Sequence, residues 1–191
     1  MDNKFQIEPL FYVVAAAAVL LIPLRWLAAW TVAAAVHELW HILALKVTGI
    51  PVRQIRIGPN GTEIHTQSMS LYRELLCAAA GPVGSFSLLL LARWMPLVAV
   101  CGFIQGAYNL LPLNTMDGGR VVSCLLTLWR GEAAAIAVRN IIEWSVIACL
   151  LALSLYCLLG LSLGPLPLIF VLFLAVRSGK IPCKSGCKRV Q

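Results

Sequence analysis

The sequence contains few charged residues and only three histidines. Of its 191 residues, 12% are charged and 60% are hydrophobic, whereas soluble domains average about 25% charged and about 45–50% apolar residues. This shortage of charge excludes an ordinary soluble domain and indicates a polytopic membrane protein. The sequence shows no internal repeat and no low-complexity linker. Its length leaves room for about six spans of ~20 residues, but not for an appended soluble domain.

Features of secreted proteins are also missing. The N-terminal stretch "MDNKFQIEPLF" has neither a basic region nor a small-residue cleavage site. The first apolar run is therefore expected to be a retained span and not a signal peptide. The seven cysteines are an odd number without a framework, which argues against a disulfide scaffold. Cys183 and Cys187 alone are only a weak signal for a metal site.

Apolar runs predict six spans. Their approximate ranges are 9–24, 27–47, 71–92, 95–111, 140–158 and 161–176. The last run, 141–176, is too long for one span, because ~36 residues at ~1.5 Å per residue extend ~54 Å, against ~30 Å of hydrocarbon. Gly160, Gly164 and Pro165 offer the break. Between the fourth and fifth spans lies a polar stretch that contains "NTMDGGR" and "TLWRGEAAAIAVRN".

The positive charges orient these spans. With a cytosolic N-terminus and six spans, Arg25 and Arg93 are the only two of the fifteen Lys and Arg residues outside the cell. Both termini are then cytosolic, and residues 177–191 form a basic cytosolic tail. Residues 52–66 alternate apolar and polar residues around "GPNG" and predict a β-hairpin on the cytosolic side. The predicted fold is an all-α polytopic membrane protein with one transmembrane domain, residues 1–176, and this small hairpin.

The polar residues of the second span form the motif "HELWH". In a helix, His37 and His41 lie four residues apart on one face, so both imidazoles can reach one metal ion. Glu38 is near enough to contact a water on that metal without being a ligand. A chance H-E-x-x-H in this composition is expected roughly 0.001–0.002 times. The motif therefore predicts a single Zn²⁺ ion, with Glu38 as the catalytic base. The competing interpretation is a hydrogen-bonded cluster within the membrane.

A catalytic zinc site needs a third protein ligand. His65 lies in the predicted hairpin, where a solvent-facing strand residue is the simpler interpretation. Asp117 follows the fourth span and precedes Gly118 and Gly119, which allow a sharp turn and a close approach to a neighbouring helix. From the residues alone, Asp117 is either the third ligand or an ordinary cap of the next helix.

The chain resembles the site-2 proteases, a family of intramembrane zinc metalloproteases. The resemblance rests on "HELWH", on "NLLPLNTMDGGR", which is similar to the family signature N-x-x-P-x-x-x-x-D-G, and on "AAAGPVGSF" in the third span. It implies that Asp117 is the third zinc ligand. The short length and the lack of a PDZ insertion are similar to the compact stage IV sporulation protein FB-like subgroup. Two residues depart from the pattern: Trp40 replaces a residue that is often Gly, and Ser85 one that is often Asn.

The resemblance implies a zinc metalloendopeptidase that cleaves a membrane-spanning or membrane-associated protein in regulated intramembrane proteolysis. Asn109 is similar to the signature Asn and is a candidate contact for the substrate or its oxyanion, or else a helix–helix hydrogen-bonding residue. The hairpin edge could receive an extended substrate. The expected setting is the bacterial cell membrane, with lipid, a protein substrate and a regulatory membrane protein as partners and no nucleic acid.

Two further interpretations follow from single residues. The alternative function is a zinc-binding membrane transporter or sensor without hydrolytic activity, in which Glu38 would have no purpose. In the fifth span, Glu143 lies four residues after Arg139 and is expected to pair with it or to reach the membrane interface.

Overall fold

The computed structural model describes residues 5–58, 61–66, 69–161 and 164–179, and these are mostly helical. The elements in chain order are β1 (Phe5–Ile7), α1 (Pro9–Leu21), α2 (Leu24–Val47), β2 (Val52–Gly58), β3 (Gly61–Thr66), α3 (Leu71–Ser87) with a 3₁₀ turn (Leu88–Leu91), α4 (Pro96–Asn109), α5 (Asp117–Arg130), α6 (Glu132–Leu159) and α7 (Leu166–Gly179). Pro59 and Asn60 of the predicted turn, and the tail from Lys180 onward with its two cysteines, lie outside the described residues.

These elements form two compact units, Met1–Tyr108 and Asn109–Gln191. In the first unit, α2 packs along α3, and the three strands form one sheet. In the second unit, α5 and α7 each pack against α6. The proposed metal-binding motif lies on α2 of the first unit, and the "DGG" sequence begins α5 of the second.

Three of the described helices are long and apolar enough to cross a membrane. They are Leu24–Val47, Leu71–Leu91 and Glu132–Leu159. Shorter apolar helices occupy Phe11–Leu21 and Leu166–Val176. The membrane class predicted from composition is consistent with these helices, and the count of six spans stays a prediction.

The polar stretch between the fourth and fifth predicted spans is helical, which the sequence analysis did not anticipate. It forms α5, and α6 begins at Glu132, earlier than the predicted start near residue 140. Gly131, with φ of +81°, is the single residue between the two helices. Hydropathy alone missed α5 because Gly118, Gly119, Arg120, Ser123 and Thr127 interrupt its apolar residues, which leaves no continuous apolar run.

The sheet contains a strand that the sequence did not predict. β2 and β3 are antiparallel, with Ile55 opposite Ile64, and β1 lies parallel to β2, with Gln6 opposite Arg56. Three residues are too few to show a period-2 pattern, so β1 left no signal. Among the described strands β2 is central, and an added substrate strand would have to pair with β1 or β3.

The C-terminus of α2 is fixed by a local motif. Gly49 has φ of +71°, and the Ile50 amide donates to the Leu45 carbonyl at 2.9 Å. This is the six-to-one hydrogen bond of a Schellman motif, which favours glycine in the left-handed position. Ile50 and Leu45 are both buried in one apolar cluster with Cys77 of α3. The end of α2 is thereby held against α3, close to the motif that carries both histidines.

Candidate metal centre

His37 and His41 lie on the face of α2 that is directed into the first unit. Residues 29, 33, 37 and 45 of this helix are buried, a spacing in multiples of four that defines one face. His37 is 3% exposed, and His41 is half-buried. The small residues Ala29 and Ala33 allow close packing on this face, so the two imidazoles are presented to α3 and not to the surroundings.

Each imidazole is oriented by a hydrogen bond between its Nδ1 atom and an oxygen of α3. His41 Nδ1 lies 2.8 Å from the Cys77 carbonyl oxygen, and His37 Nδ1 lies 2.8 Å from the Ser85 hydroxyl. A carbonyl only accepts, so His41 must carry its proton on Nδ1. Its Nε2 atom then carries a lone pair when the ring is neutral. This is the usual arrangement of a metal-binding histidine, whose second nitrogen donates to a protein oxygen.

The two Nε2 atoms converge. They are 3.2 Å apart, and the rings are nearly perpendicular, at 82°, with centroids 4.8 Å apart. Two nitrogens bound to tetrahedral Zn²⁺ at about 2.0–2.1 Å would be about 3.3 Å apart. When the Ser85 hydroxyl accepts from His37 Nδ1, both Nε2 atoms carry lone pairs and can bind one cation. The donor atoms and their spacing therefore fit a zinc ion.

Gly81 of α3 makes room for this arrangement. A Cβ atom built on Gly81 would overlap His41 Nε2 and would lie 2.7 Å from His37 Cε1. Any side chain at position 81 would therefore occupy the space in front of His41 Nε2 and against the His37 ring. Gly81 belongs to the glycine-proline segment of the third span, but its role depends on a contact between two helices and leaves no signal in the sequence.

Trp40, which departs from the family pattern, is also accommodated by a glycine of α3. A Cβ atom on Gly84 would overlap the Trp40 ring at Cδ1 and Cγ. The indole of Trp40 therefore lies directly against the backbone of α3. The large residue between Glu38 and His41 thus fits without displacing the histidines, because position 84 has no side chain.

Asp117 is the first residue of α5 and is 9% exposed. A Cβ atom on Gly118 would overlap the backbone of Leu110, and one on Gly119 would overlap that of Leu113. The two glycines thus lie inside the first helical turn and not in a turn before it. They let the segment from Leu110 to Met116 fold back over the start of α5, which sets the position of Asp117.

His37, His41 and Asp117 form a group that could hold a metal ion. The two histidines of the first unit each offer a ring nitrogen, and Asp117 of the second unit offers a carboxylate oxygen. Glu38 is half-buried on α2 beside His37, and Asn109 is the half-buried last residue of α4. His65 lies in β3 opposite Gln54.

Ser85 is the residue of this centre that the sequence analysis undervalued. It is fully buried, at 0% exposed, and it holds the ring of His37. Replacement of Ser85 by Ala is expected to weaken zinc binding by about 10–100-fold, the usual effect of removing the partner of a metal-binding histidine. The affinity can be measured in detergent by competition with a chromophoric chelator.

Ser87→Ala is the matched control for Ser85→Ala. Ser87 lies two residues further along α3, and its hydroxyl donates to the Gly84 carbonyl at 2.6 Å. Its removal alters the same helix without touching a histidine, so the zinc affinity should not change. Equal affinities for Ser85→Ala and the unaltered protein would show that this hydrogen bond has no part in metal binding.

Two comparisons with known proteins relate the chain to proteases. Over 110 residues it is 26% identical to a zinc metalloprotease of Methanocaldococcus jannaschii, a match that covers 50% of this chain and 32% of that protein. The chain thus spans about a third of the relative. The solved structure of a site-2 protease from the same organism superposes with a TM-score of 0.61 at 19% identity, covering 100% of this chain and 97% of that one. No family model matches the sequence.

Proposed function

We propose that the chain is an intramembrane zinc endopeptidase of the site-2 protease family, a proposal that its similarity to a zinc metalloprotease and to the fold of a site-2 protease supports. Its substrate would be a membrane-spanning or membrane-associated protein, cleaved in regulated intramembrane proteolysis. One observation carries the proposal: two histidines four residues apart present their Nε2 atoms to each other at 3.2 Å, and the motif places Glu38 beside them. Paired imidazoles next to a carboxylate are the H-E-x-x-H arrangement of zinc hydrolases.

The residues of the centre have distinct proposed roles. His37, His41 and Asp117 would hold the ion, and Zn²⁺ bound there supplies a Lewis acid that makes a water nucleophile available near neutral pH. Glu38 would accept the proton of the attacking water on its carboxylate and later deliver it to the leaving amine. Asn109 would donate a hydrogen bond to the oxyanion that develops on the scissile carbonyl.

The ligand orientation is provided by the chain itself. Ser85 and the Cys77 carbonyl fix the two imidazole planes, and Gly81 keeps the space before both Nε2 atoms open. These contacts orient both imidazoles toward one another, and preorganised ligands and dipoles favour catalysis.

The membrane arrangement belongs to the proposal as well. It comprises six spans in the bacterial cell membrane with both termini in the cytosol, within the compact stage IV sporulation protein FB-like subgroup. An extended substrate would pair with an outer strand of the sheet, β1 or β3, since β2 has a neighbour on each side. The natural partners would be the substrate protein, lipid and a regulatory membrane protein.

Removal of the metal tests this function directly. In proteoliposomes that contain a single-span substrate, a zinc chelator is expected to abolish cleavage, and one equivalent of Zn²⁺ should restore it, because the nucleophile depends on the ion. The readout is the substrate fragment on a gel. A protein that binds one zinc ion and cleaves none of a panel of single-span substrates, with or without added Zn²⁺, would favour the transporter or sensor.

A further inference from the structure

Glu143 is a buried carboxylate in α6 that the proposed reaction does not use. It is 3% exposed, although ionisable groups in an apolar helix are costly unless they are paired. The sequence predicted that Glu143 pairs with Arg139, four residues earlier, or reaches the membrane interface; the first of these alternatives is wrong. Arg139 instead donates from Nη1 to the Ser123 hydroxyl of α5 at 3.3 Å. The partners of Glu143 must be sought elsewhere in the second unit.

Three hydrogen bonds satisfy the Glu143 carboxylate. Oε1 accepts the backbone amide of Asn114 at 3.1 Å and the Ser178 hydroxyl of α7 at 2.5 Å. Oε2 accepts the side-chain amide of Asn114 at 2.5 Å. An ionised carboxylate only accepts hydrogen bonds, and both of its oxygens do so. It is therefore suited to a position where three donors converge. Two of the three bonds go to one residue, so Asn114 is held by both its backbone and its side chain.

Asn114 lies in the segment that delivers Asp117 to the start of α5. Its neighbour Leu113 is fully buried, and the Met116 amide donates to the Leu113 carbonyl at 2.9 Å. Gly119, in the first turn of α5, packs against the backbone of Leu113 and Asn114. With these contacts in place, a shift of Asn114 would be passed on to Asp117 three residues later. The carboxylate of α6 therefore anchors the segment that carries the third candidate ligand.

We propose that Glu143 is a positioning residue for the metal centre, acting on Asp117 through Asn114. The inference rests on the proposed function, because it takes Asp117 as a metal ligand. Glu143 takes no part in the proposed reaction and does not pair with Arg139. Positioning of the ligand segment would account for the burial of its carboxylate. Ser178 would hold the same carboxylate from the side of α7, so that α6, α7 and the ligand segment share one acceptor.

The test exchanges the charge between the two partners. Asn114→Asp places a second carboxylate against Glu143 Oε2, and the two like charges should push the segment out of position. Adding Glu143→Gln restores an amide opposite a carboxylate with the direction of the hydrogen bond reversed. All variants also carry Glu38→Gln, and the measured quantity is zinc affinity, with the Co²⁺ absorption spectrum as a report on ligand geometry.

The change in zinc affinity that we expect for Asn114→Asp is opposite to the change that the added charge alone would cause. A new negative charge three residues from a metal ligand would by itself strengthen cation binding. We expect Asn114→Asp to weaken zinc binding by about 10-fold or more, as loss of a ligand's partner does, and the double variant to recover most of that loss. Unchanged or tighter binding by Asn114→Asp, or a double variant as weak as the single one, would overturn the inference.

A control and the parent protein separate the possible failures. Ser154 is also buried in α6, but its hydroxyl donates only to the Leu151 carbonyl at 2.9 Å, so Ser154→Ala should leave zinc affinity unchanged. If Ser154→Ala weakens zinc binding as much as Asn114→Asp does, the loss of affinity comes from general destabilisation of α6, and the inference falls. If the unaltered protein, with Glu38 in place, binds no zinc, the proposed function falls first, and the positioning role falls with it.

Discussion

Glu38→Gln is expected to retain one bound zinc ion and to lower the rate of substrate cleavage by about 10²–10⁴-fold, the usual contribution of a general base. Gln keeps the size and polarity of the side chain but cannot accept a proton at neutral pH. Glu38 is not one of the three candidate ligands, His37, His41 and Asp117, so the metal should stay bound. Zinc content by elemental analysis and cleavage in proteoliposomes together measure the two effects.

The control for this prediction is Glu132→Gln. Glu132 lies in the first turn of α6, and the same loss of charge there is expected to change cleavage by less than about two-fold, because a charge at a helix terminus affects mainly helix stability. Cleavage by Glu38→Gln at the rate of the unaltered protein would eliminate Glu38 as the base. Loss of zinc together with cleavage would instead indicate that Glu38 supports the metal.

Gly81→Ala is expected to abolish zinc binding and, with it, all cleavage. The new methyl group would overlap His41 Nε2 and crowd His37 Cε1, so at least one imidazole must turn away from its partner. Interiors are close-packed, and this one has no free volume for a methyl group between the rings. We expect zinc affinity to fall by more than about 100-fold, beyond the loss of a single ligand partner. Equilibrium dialysis against buffered Zn²⁺ measures it.

The matched control for Gly81→Ala is the same exchange at Gly160. This residue follows α6 with φ of −89°, which alanine adopts without strain, and its Cβ would come no closer than 3.0 Å to Tyr156. Helix content by circular dichroism should stay equal in both variants. If Gly81→Ala retains normal zinc affinity, the space before the imidazoles does not determine metal binding and this account of Gly81 is wrong.

The sequence predicted the features that depend on local spacing. His37 and His41 face the same side because four residues approximate one helical turn, and no knowledge of the rest of the chain is needed for that inference. The predicted end of the second span, residue 47, is also the last residue of α2, and the left-handed Gly49 closes this helix. The apolar composition in turn predicted the membrane-spanning class.

The features that depend on contacts between distant segments could not be predicted in this way. Ser85 lies 48 residues from His37, and Glu143 lies 29 residues from Asn114. Nothing in the sequence near either residue indicates which partner it contacts. The expected pair of Arg139 and Glu143 was wrong because helical spacing makes such a pair possible but does not outweigh three donors from other segments. β1 was missed because it is short, and α5 because small and polar residues interrupt its apolar residues.

Trp40 and Gly84 occupy one shared volume, and this has a consequence for protein engineering. Replacing Trp40 by the small residue common in the resembled family would leave a cavity against α3 instead of restoring a standard packing, since position 84 has no side chain to fill it. The reverse exchange, a larger residue at position 84 alone, would overlap the indole. The two positions can therefore be redesigned only together, with a small residue at position 40 of α2 and a large one at position 84 of α3.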